Sequence, residues 1–114
     1  MNRKKYERLF KIFSKKRLAF LIHSEERALQ DFCERGISLP PEQISRLDFL
    51  TETCDCLAGS YNNCGIDNWF FRRRAQLGMQ SPYLCFLAPW NPKDELAQKV
   101  MTLAKVLTGP MNAT

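Results

Sequence analysis

Apolar residues recur every three or four positions along most of the chain, and this spacing restricts the fold more than any other feature of the sequence. It is clearest in a middle segment and a late one: Ile44, Leu47, Leu50, Cys54 and Leu57, then Leu96, Val100, Leu103 and Leu107. Such spacing is typical of helices that bury one face. No segment alternates apolar and polar residues as a strand does. The sequence therefore predicts an all-α fold of about seven helices.

Residues that favour helix ends divide this pattern into separate helices. The candidate N-caps, whose side chains can accept a hydrogen bond from the first turn, are Ser14, Ser24, Asn63, Ser81 and Asn91. The prolines that suit a first helical turn are Pro40 or Pro41, Pro82 and Pro92. Glycines placed to end a helix are Gly36, Gly59 and Gly109.

The chain has 114 residues, of which 45% are hydrophobic and 25% charged, and this suits one compact domain. Within it we predict a helix-turn-helix-like region with a basic first helix at 1–38, a central helix at 39–62 and a small helical domain at 63–114. The longest apolar run, 18–22, is too short to cross a membrane, and the basic start is not followed by a signal-peptide core. We expect a soluble, cytoplasmic protein with no membrane partner.

Residue patterns that indicate catalysis or metal binding are missing. There is no glycine-rich phosphate loop, no metal-ligand cluster and no nucleophile with an evident base, so we expect no enzymatic activity, no cofactor and no metal. Cys54 and Cys56 would point to different faces of one helix. The odd count of five cysteines favours buried free thiols. His23, the single histidine, is expected in a turn as a structural residue whose partner the sequence does not identify.

Positive charge is concentrated at the start of the chain. Residues 1–17 hold eight basic residues and one acidic residue, a local charge of +7, which leaves −2 for the rest of a chain whose net charge is +5. A basic end can attract polyanions, and the candidate nucleic-acid contacts there are Arg3, Lys4, Lys5 and Arg8. A solvated helix face explains the same residues equally well, so both interpretations stay open.

Residues 14–36 have the layout of a helix-turn-helix, with a short helix, a tight turn near His23 and a second helix that ends at Gly36. The second helix suits DNA poorly because residues 24–36 carry a local charge of −2, whereas DNA binding rests on neutralising phosphates. Arg27 is its candidate nucleic-acid contact. We favour a scaffold of helix-turn-helix type over a sequence-specific reader.

The stretch NWFFRRRAQLGMQSPYLCFL, residues 68–87, places aromatic residues directly against three arginines. Trp69 and Phe70 are expected in the core, whereas Phe71 points elsewhere on the helix. Residues 72–74 cannot be deeply buried without partners. Aromatic side chains beside arginine are typical of protein–protein hot spots, but the same residues could bind a single-stranded nucleic acid.

The chain resembles the MbcA/ParS/Xre antitoxins of bacterial toxin–antitoxin pairs. The matching residues are Leu39, Gln43, Arg46 and Leu47 in the central helix, then Trp69, Leu77, Gly78, Ser81, Pro82, Leu84 and Leu87, and finally Asp94, Ala97 and Val100. Two positions depart from the family pattern. Family members often carry Pro-Asn where this chain has Arg73-Arg74, and often a second glycine where it has Met79.

The resemblance implies an antitoxin whose small helical domain at 63–114 is toxin-binding-like and covers the active site of a RES-type, NAD-consuming toxin. The candidate toxin contacts are Phe71, Arg72, Arg73, Arg74, Gln80, Lys105 and Thr108, while the motif from Trp69 to Pro82 would shape the domain. The front half would mediate self-association, operator binding or both, which implies a homodimer or a hetero-oligomer with the toxin. The alternatives are a DNA-binding regulator without a toxin and an adaptor whose basic end binds an acidic protein.

Overall fold

The computed structural model describes residues 3–106, and these residues form seven α-helices and no strand. In chain order the helices are α1 Glu7–Ile12, α2 Lys15–Ile22, α3 Glu26–Arg35, α4 Pro41–Leu57, α5 Asn63–Phe71, α6 Pro82–Cys85 and α7 Glu95–Val106. Short 3-10 turns precede α1 at Arg3–Tyr6 and lie between α5 and α6 at Ala75–Leu77. The prediction of an all-α fold with about seven helices is confirmed.

Several helix ends lie where the sequence predicts them. The hydroxyls of Ser14 and Ser81 each accept a hydrogen bond from the backbone N–H three residues later, at 3.1 and 3.2 Å. Pro41 is the first residue of α4. Gly36 follows α3 with φ 69°, a left-handed conformation that glycine adopts without a steric penalty.

Three predicted caps are wrong. Asn62 caps α5 in place of Asn63, because its side chain accepts an N–H three residues later at 2.8 Å. The hydroxyl of Ser24 donates to the carbonyl of the next residue, and α3 begins two residues after it without a side-chain cap. The backbone N–H of Asn91 donates to Oδ2 of Asp94 at 2.9 Å, so this segment forms a turn and α7 starts only at its end.

Helix α4 is the centre of one continuous hydrophobic core. Helices α1 and α2 from the front of the chain and α7 from its end all pack against it. Leu47, Leu50 and Leu57 of α4 are fully buried together with Leu18 from α2 and Val100 from α7. The three predicted segments therefore share a single core. No helix within residues 3–106 is both long enough and apolar enough to span a bilayer.

The five cysteines all lie within residues 3–106 and form no disulfide there, as predicted, but they are not all buried. Cys54 is fully buried in α4, and burial raises the pKa of its thiol above the usual range. Cys64 is exposed in the first turn of α5. Within residues 3–106 no group of three or more His, Cys, Asp or Glu side chains is placed to hold a metal ion.

The side chain of Arg46 joins the two halves of the chain. Its Nη1 donates to the carbonyl of Ile22 at 3.0 Å, and its Nε donates to the carbonyl of Trp90 at 2.7 Å. The indole N–H of Trp90 donates in turn to the carbonyl of Leu21 at 2.7 Å. The last carbonyls of a helix have no partner within it, so these donors satisfy the end of α2 and fix it against the segment that follows α6.

His23 completes this junction. It follows α2 with φ 59°, and its Nε2 donates to the carbonyl of Phe86 at 2.8 Å, since a carbonyl can only accept. The amide of Gln43 donates to the carbonyl of His23 at 3.2 Å. His23 is thus a structural residue, as expected, and the structure identifies its partner. Gln43 and Arg46, two of the residues that carry the family resemblance, both hold the end of α2.

Arg46→Ala should destabilise the whole fold, because it removes two charge-assisted hydrogen bonds and leaves two backbone carbonyls with fewer donors. We expect a loss of about 2–3 kcal/mol in the free energy of unfolding, measured from the urea midpoint. Arg46→Lys should restore little, since an ammonium group cannot replace the planar fork that reaches both carbonyls. Arg27→Ala, an exposed arginine on α3, is the matched control and should change stability by less than about 0.5 kcal/mol. An Arg46→Ala variant as stable as the wild type would contradict the junction.

Candidate partner-binding surface

Helix α5 separates its three consecutive aromatic residues between core and surface. Trp69 is 2% exposed and Phe70 is fully buried, and their rings meet edge to face with centroids 5.3 Å apart. Phe71 is 42% exposed. This agrees with the sequence-based expectation for all three residues. The helix thus ends with a surface aromatic residue directly before the arginines.

The segment 72–80, called the tip loop below, reverses the chain between α5 and α6. The backbone N–H of Arg74 donates to the carbonyl of Gln80 at 3.1 Å, and the N–H of Met79 donates to the carbonyl of Arg74 at 2.9 Å. The side chain of Leu77 is buried beneath the loop. Gly78 and Met79 follow with φ 68° and 66°, both left-handed. These contacts hold a compact loop above the core.

The tip of this loop combines backbone strain with an exposed apolar side chain. Met79 is 62% exposed, and the left-handed conformation is unfavourable for a residue with a Cβ by roughly 1 kcal/mol. Gly78 beside it adopts the same conformation without that penalty. Met79 was not among the predicted contact residues. The signal that could have identified it is the glycine expected at this position.

The three predicted arginine contacts are in different environments. Arg74 is partly buried, with its guanidinium carbon 4.5 Å from the centre of the Trp69 ring, and burial lowers its pKa. Arg72 and Arg73 are exposed and form no ion pair with any residue that the structure describes. Arg74 therefore stabilises the loop over Trp69, whereas Arg72 and Arg73 are open to a partner.

The other predicted partner contacts are dispersed. The side chain of Gln80 is exposed, and its Oε1 lies 3.7 Å from the sulfur of Cys85. Lys105 lies on α7, and its Nζ is 3.5 Å from Oε2 of Glu52 on α4. Thr108 lies outside the described residues, as do Leu107 and the predicted helix end at Gly109. Phe71 and Gln80 thus belong to the same surface as the tip loop, and Lys105 extends from α7 towards α4.

The residues of the predicted structural motif form the tip loop and the start of α6. Trp69 and Leu77 are buried under the tip loop, Gly78 makes its turn, and Ser81 caps α6, whose first residue is Pro82. These residues build the loop and leave its tip exposed.

Two of the five predicted nucleic-acid contacts, Lys5 and Arg8, are paired with carboxylates. Nζ of Lys5 lies 3.0 Å from Oδ1 of Asp48, and Nε of Arg8 lies 3.6 Å from Oδ1 of Asp55. Lys4 is exposed without an ion pair among the described residues, and Arg3 opens the first 3-10 turn, with its side chain outside the description. Together with Lys11, the side chains of Lys4, Lys5 and Arg8 line an open groove of about 610 Å³.

Arg27, the remaining predicted nucleic-acid contact, lies on α3 and not in this groove. Its side chain is exposed and shares a separate surface depression with Glu26, Gln30 and Asp31. The two carboxylates offset its charge, which agrees with the poor suitability of this helix for phosphates.

Met79→Gly should raise the stability of the protein, because glycine removes the left-handed strain at the tip. We expect Met79→Gly to be about 1–2 kcal/mol more stable than Met79→Val, in which a β-branched side chain is forced into that conformation. Gln76→Gly, in the neighbouring 3-10 turn, is the matched control and should lower stability by about 0.5–1 kcal/mol. Thermal unfolding followed by circular dichroism measures all three. Equal melting temperatures for Met79→Gly and Met79→Val would show that this residue is not held in the left-handed conformation.

Comparison with known proteins adds no assignment to this surface, because no protein-family model, curated protein or solved structure matches the chain.

Proposed function

We propose that this chain is the antitoxin of a type II toxin–antitoxin pair and neutralises a RES-type, NAD-consuming toxin by covering its active site. The proposal combines the resemblance to the MbcA/ParS/Xre antitoxins with one structural observation, the exposed and strained Met79 at the end of the tip loop. In this mechanism the tip loop enters the toxin's cleft and prevents NAD from binding there.

Met79 supports the proposal of a protein partner, because methionine at this position makes the protein less stable than glycine would. A left-handed position beside Gly78 would be more stable with glycine, and a large apolar side chain gains nothing from water. Backbone strain of this kind is typical of binding sites. Methionine also adapts its flexible thioether to an irregular apolar cleft. Contact with a partner explains both properties of this residue together.

The loop is suited to enter a cleft because it is already ordered. Arg74 lies against Trp69, and the backbone bonds between Arg74 and Gln80 close the loop at its base. A preformed loop loses little conformational entropy on binding. Arg72 and Arg73 lie at the same base, so in the complex they would face carboxylates at the rim of the cleft rather than its interior.

A DNA-binding regulator is the second candidate, supported by the basic groove beside α1. Lys4, Lys5, Arg8 and Lys11 all line it. However, Lys5, Arg8 and Lys11 each lie within 4 Å of a carboxylate, and phosphate binding would have to compete with those pairs. DNA binding in this groove would be compatible with an antitoxin that contacts its operator as well as with a regulator, so it does not distinguish the two functions.

Co-expression with the cognate toxin tests the proposal. The double variant Arg72→Glu/Arg73→Glu and the single variant Met79→Asp should each fail to restore growth, and each should raise the concentration needed to inhibit NAD consumption by about tenfold or more. The matched double variant Lys4→Glu/Arg27→Glu reverses two exposed charges outside the tip loop and should still neutralise the toxin. It should weaken any binding of duplex DNA.

The opposite pattern would reject the mechanism. If the two tip-loop variants neutralise fully while Lys4→Glu/Arg27→Glu does not, neutralisation belongs to the front half. If the wild type binds duplex DNA tightly and neither binds nor inhibits the toxin, the regulator becomes the better assignment. Circular dichroism of each variant separates loss of contact from loss of fold.

A further inference from the structure

A row of stacked side chains on the surface, called the aromatic ladder below, connects α2, α5 and α6. Phe71 of α5 stacks on Tyr83 of α6 with ring centroids 4.8 Å apart, and Tyr83 stacks on Phe20 of α2 at 5.4 Å, almost parallel at 10°. The guanidinium of Arg17 covers the outer side of Phe71 at 4.6 Å. The ring of His23 lies beyond Phe20 at 6.2 Å. The front and back halves of the chain both contribute to this surface.

The ladder is apolar and open to solvent. Phe20 and Phe71 are each 42% exposed, and Tyr83 is partly exposed between them. Because the neighbouring groups cover the ring faces, the rings present mainly their edges to solvent. The edge of an aromatic ring carries the positive part of its quadrupole and attracts oxygen atoms. The surface therefore suits carbonyl and carboxylate oxygens better than it suits another flat ring.

Both ends of the ladder are fixed by polar contacts. Nη1 of Arg17 donates to both carboxylate oxygens of Asp67 at 2.8 and 2.9 Å. At the other end, His23 is bonded to the carbonyl of Phe86. Rigid aromatic side chains bind with a small loss of rotamer freedom. The ladder is thus preorganised as a contact surface.

Positive charge surrounds the ladder. Lys16 lies one turn before Phe20 on the same side of α2, and Arg72 and Arg73 directly follow Phe71; all three are exposed without an ion pair among the described residues. Asp67, the carboxylate nearest the ladder in these contacts, is already paired with Arg17. An approaching surface would therefore gain most from carboxylates of its own.

We propose that the aromatic ladder is a second contact region for the toxin and binds an acidic segment of it, in which carboxylates meet Lys16, Arg72 and Arg73 while backbone carbonyl oxygens of the segment meet the ring edges. This rests on the proposed function. The ladder is continuous with the tip loop, since Phe71 and Tyr83 flank that loop in the chain. The toxin interface then includes α2 as well as the C-terminal region.

Two other occupants fit the surface less well. A second copy of this chain, related by a two-fold axis, would bring Lys16, Arg72 and Arg73 against their own counterparts, and like charges repel. A single-stranded nucleic acid would bind by stacking its bases on ring faces. Both faces of Tyr83 are covered by Phe20 and Phe71, Arg17 lies over Phe71, and Tyr83 covers one face of Phe20, so little ring face is left for bases.

The test is the affinity of purified variants for the RES-type toxin that the proposed function requires in a neighbouring gene. The toxin is immobilised on a sensor surface, and association and dissociation rates are measured. Phe20→Ala should weaken binding by about tenfold or more, mainly through faster dissociation. Lys16→Glu, which leaves the rings in place, should slow association several-fold, and this effect should shrink as salt is raised. Ile37→Ala removes another exposed apolar side chain, 48% exposed and outside the ladder, and should bind like the wild type.

The outcomes separate this inference from the proposed function. If Phe20→Ala and Lys16→Glu bind normally while Arg72→Glu/Arg73→Glu does not, the interface is confined to the tip loop and the inference is overturned alone. If the wild type does not bind the toxin, or no such toxin is encoded, both fail. Loss of dimerisation in Phe20→Ala would identify a second copy as the occupant, and loss of binding to a labelled single-stranded oligonucleotide would identify a nucleic acid; either result overturns the inference.

Discussion

The guanidinium of Arg46 bonds at once to the end of α2 and to the segment that follows α6, and the exposed surface of the molecule depends on this link. With α2 fixed there, Phe20 lies against Tyr83 of α6. Phe71 of α5 then extends the same stack. Together with the bonds of Trp90 to Leu21 and of His23 to Phe86, this link brings residues from the first and last thirds of the chain into one surface. Arg46, one of the residues that carry the family resemblance, therefore bonds to backbone carbonyls within the fold.

The tip loop and the aromatic ladder on that surface are both ordered and exposed, a combination that the stability of a monomer does not require. The tip loop is closed by backbone bonds and by Arg74 over Trp69, yet it holds Met79 in a strained conformation and in water. The aromatic ladder is equally fixed at both ends and equally open. The two regions are rigid and apolar, and they are flanked by arginines that have no ion pair among the described residues. They share the chemistry of a protein-binding site. The basic groove beside α1 differs, since most of its cations are already paired within the molecule.

Local patterns in the sequence predict the helices because caps and apolar spacing act over three or four residues. Ser81 and Gly36 lie where those patterns place them, and Asn62 differs from the predicted cap by one position only. The surface is harder to predict because it depends on distant contacts. The sequence predicts an exposed Arg74 because it belongs to a run of three arginines, and only the fold shows that it lies on Trp69. Likewise, Phe20 and Tyr83 are far apart in the sequence, and no local pattern indicates that their rings stack.

Hydrogen–deuterium exchange of this chain, alone and mixed with the toxin proposed as its partner, tests most directly whether the tip loop and the ladder form the partner-binding surface. The account predicts slower exchange in the complex for amides of the tip loop and of the segment around Tyr83, with α2 protected near Phe20. Amides of α1 and α3 should exchange at the same rate in both states. Protection confined to α1 and α3, with the tip loop unchanged, would contradict the account.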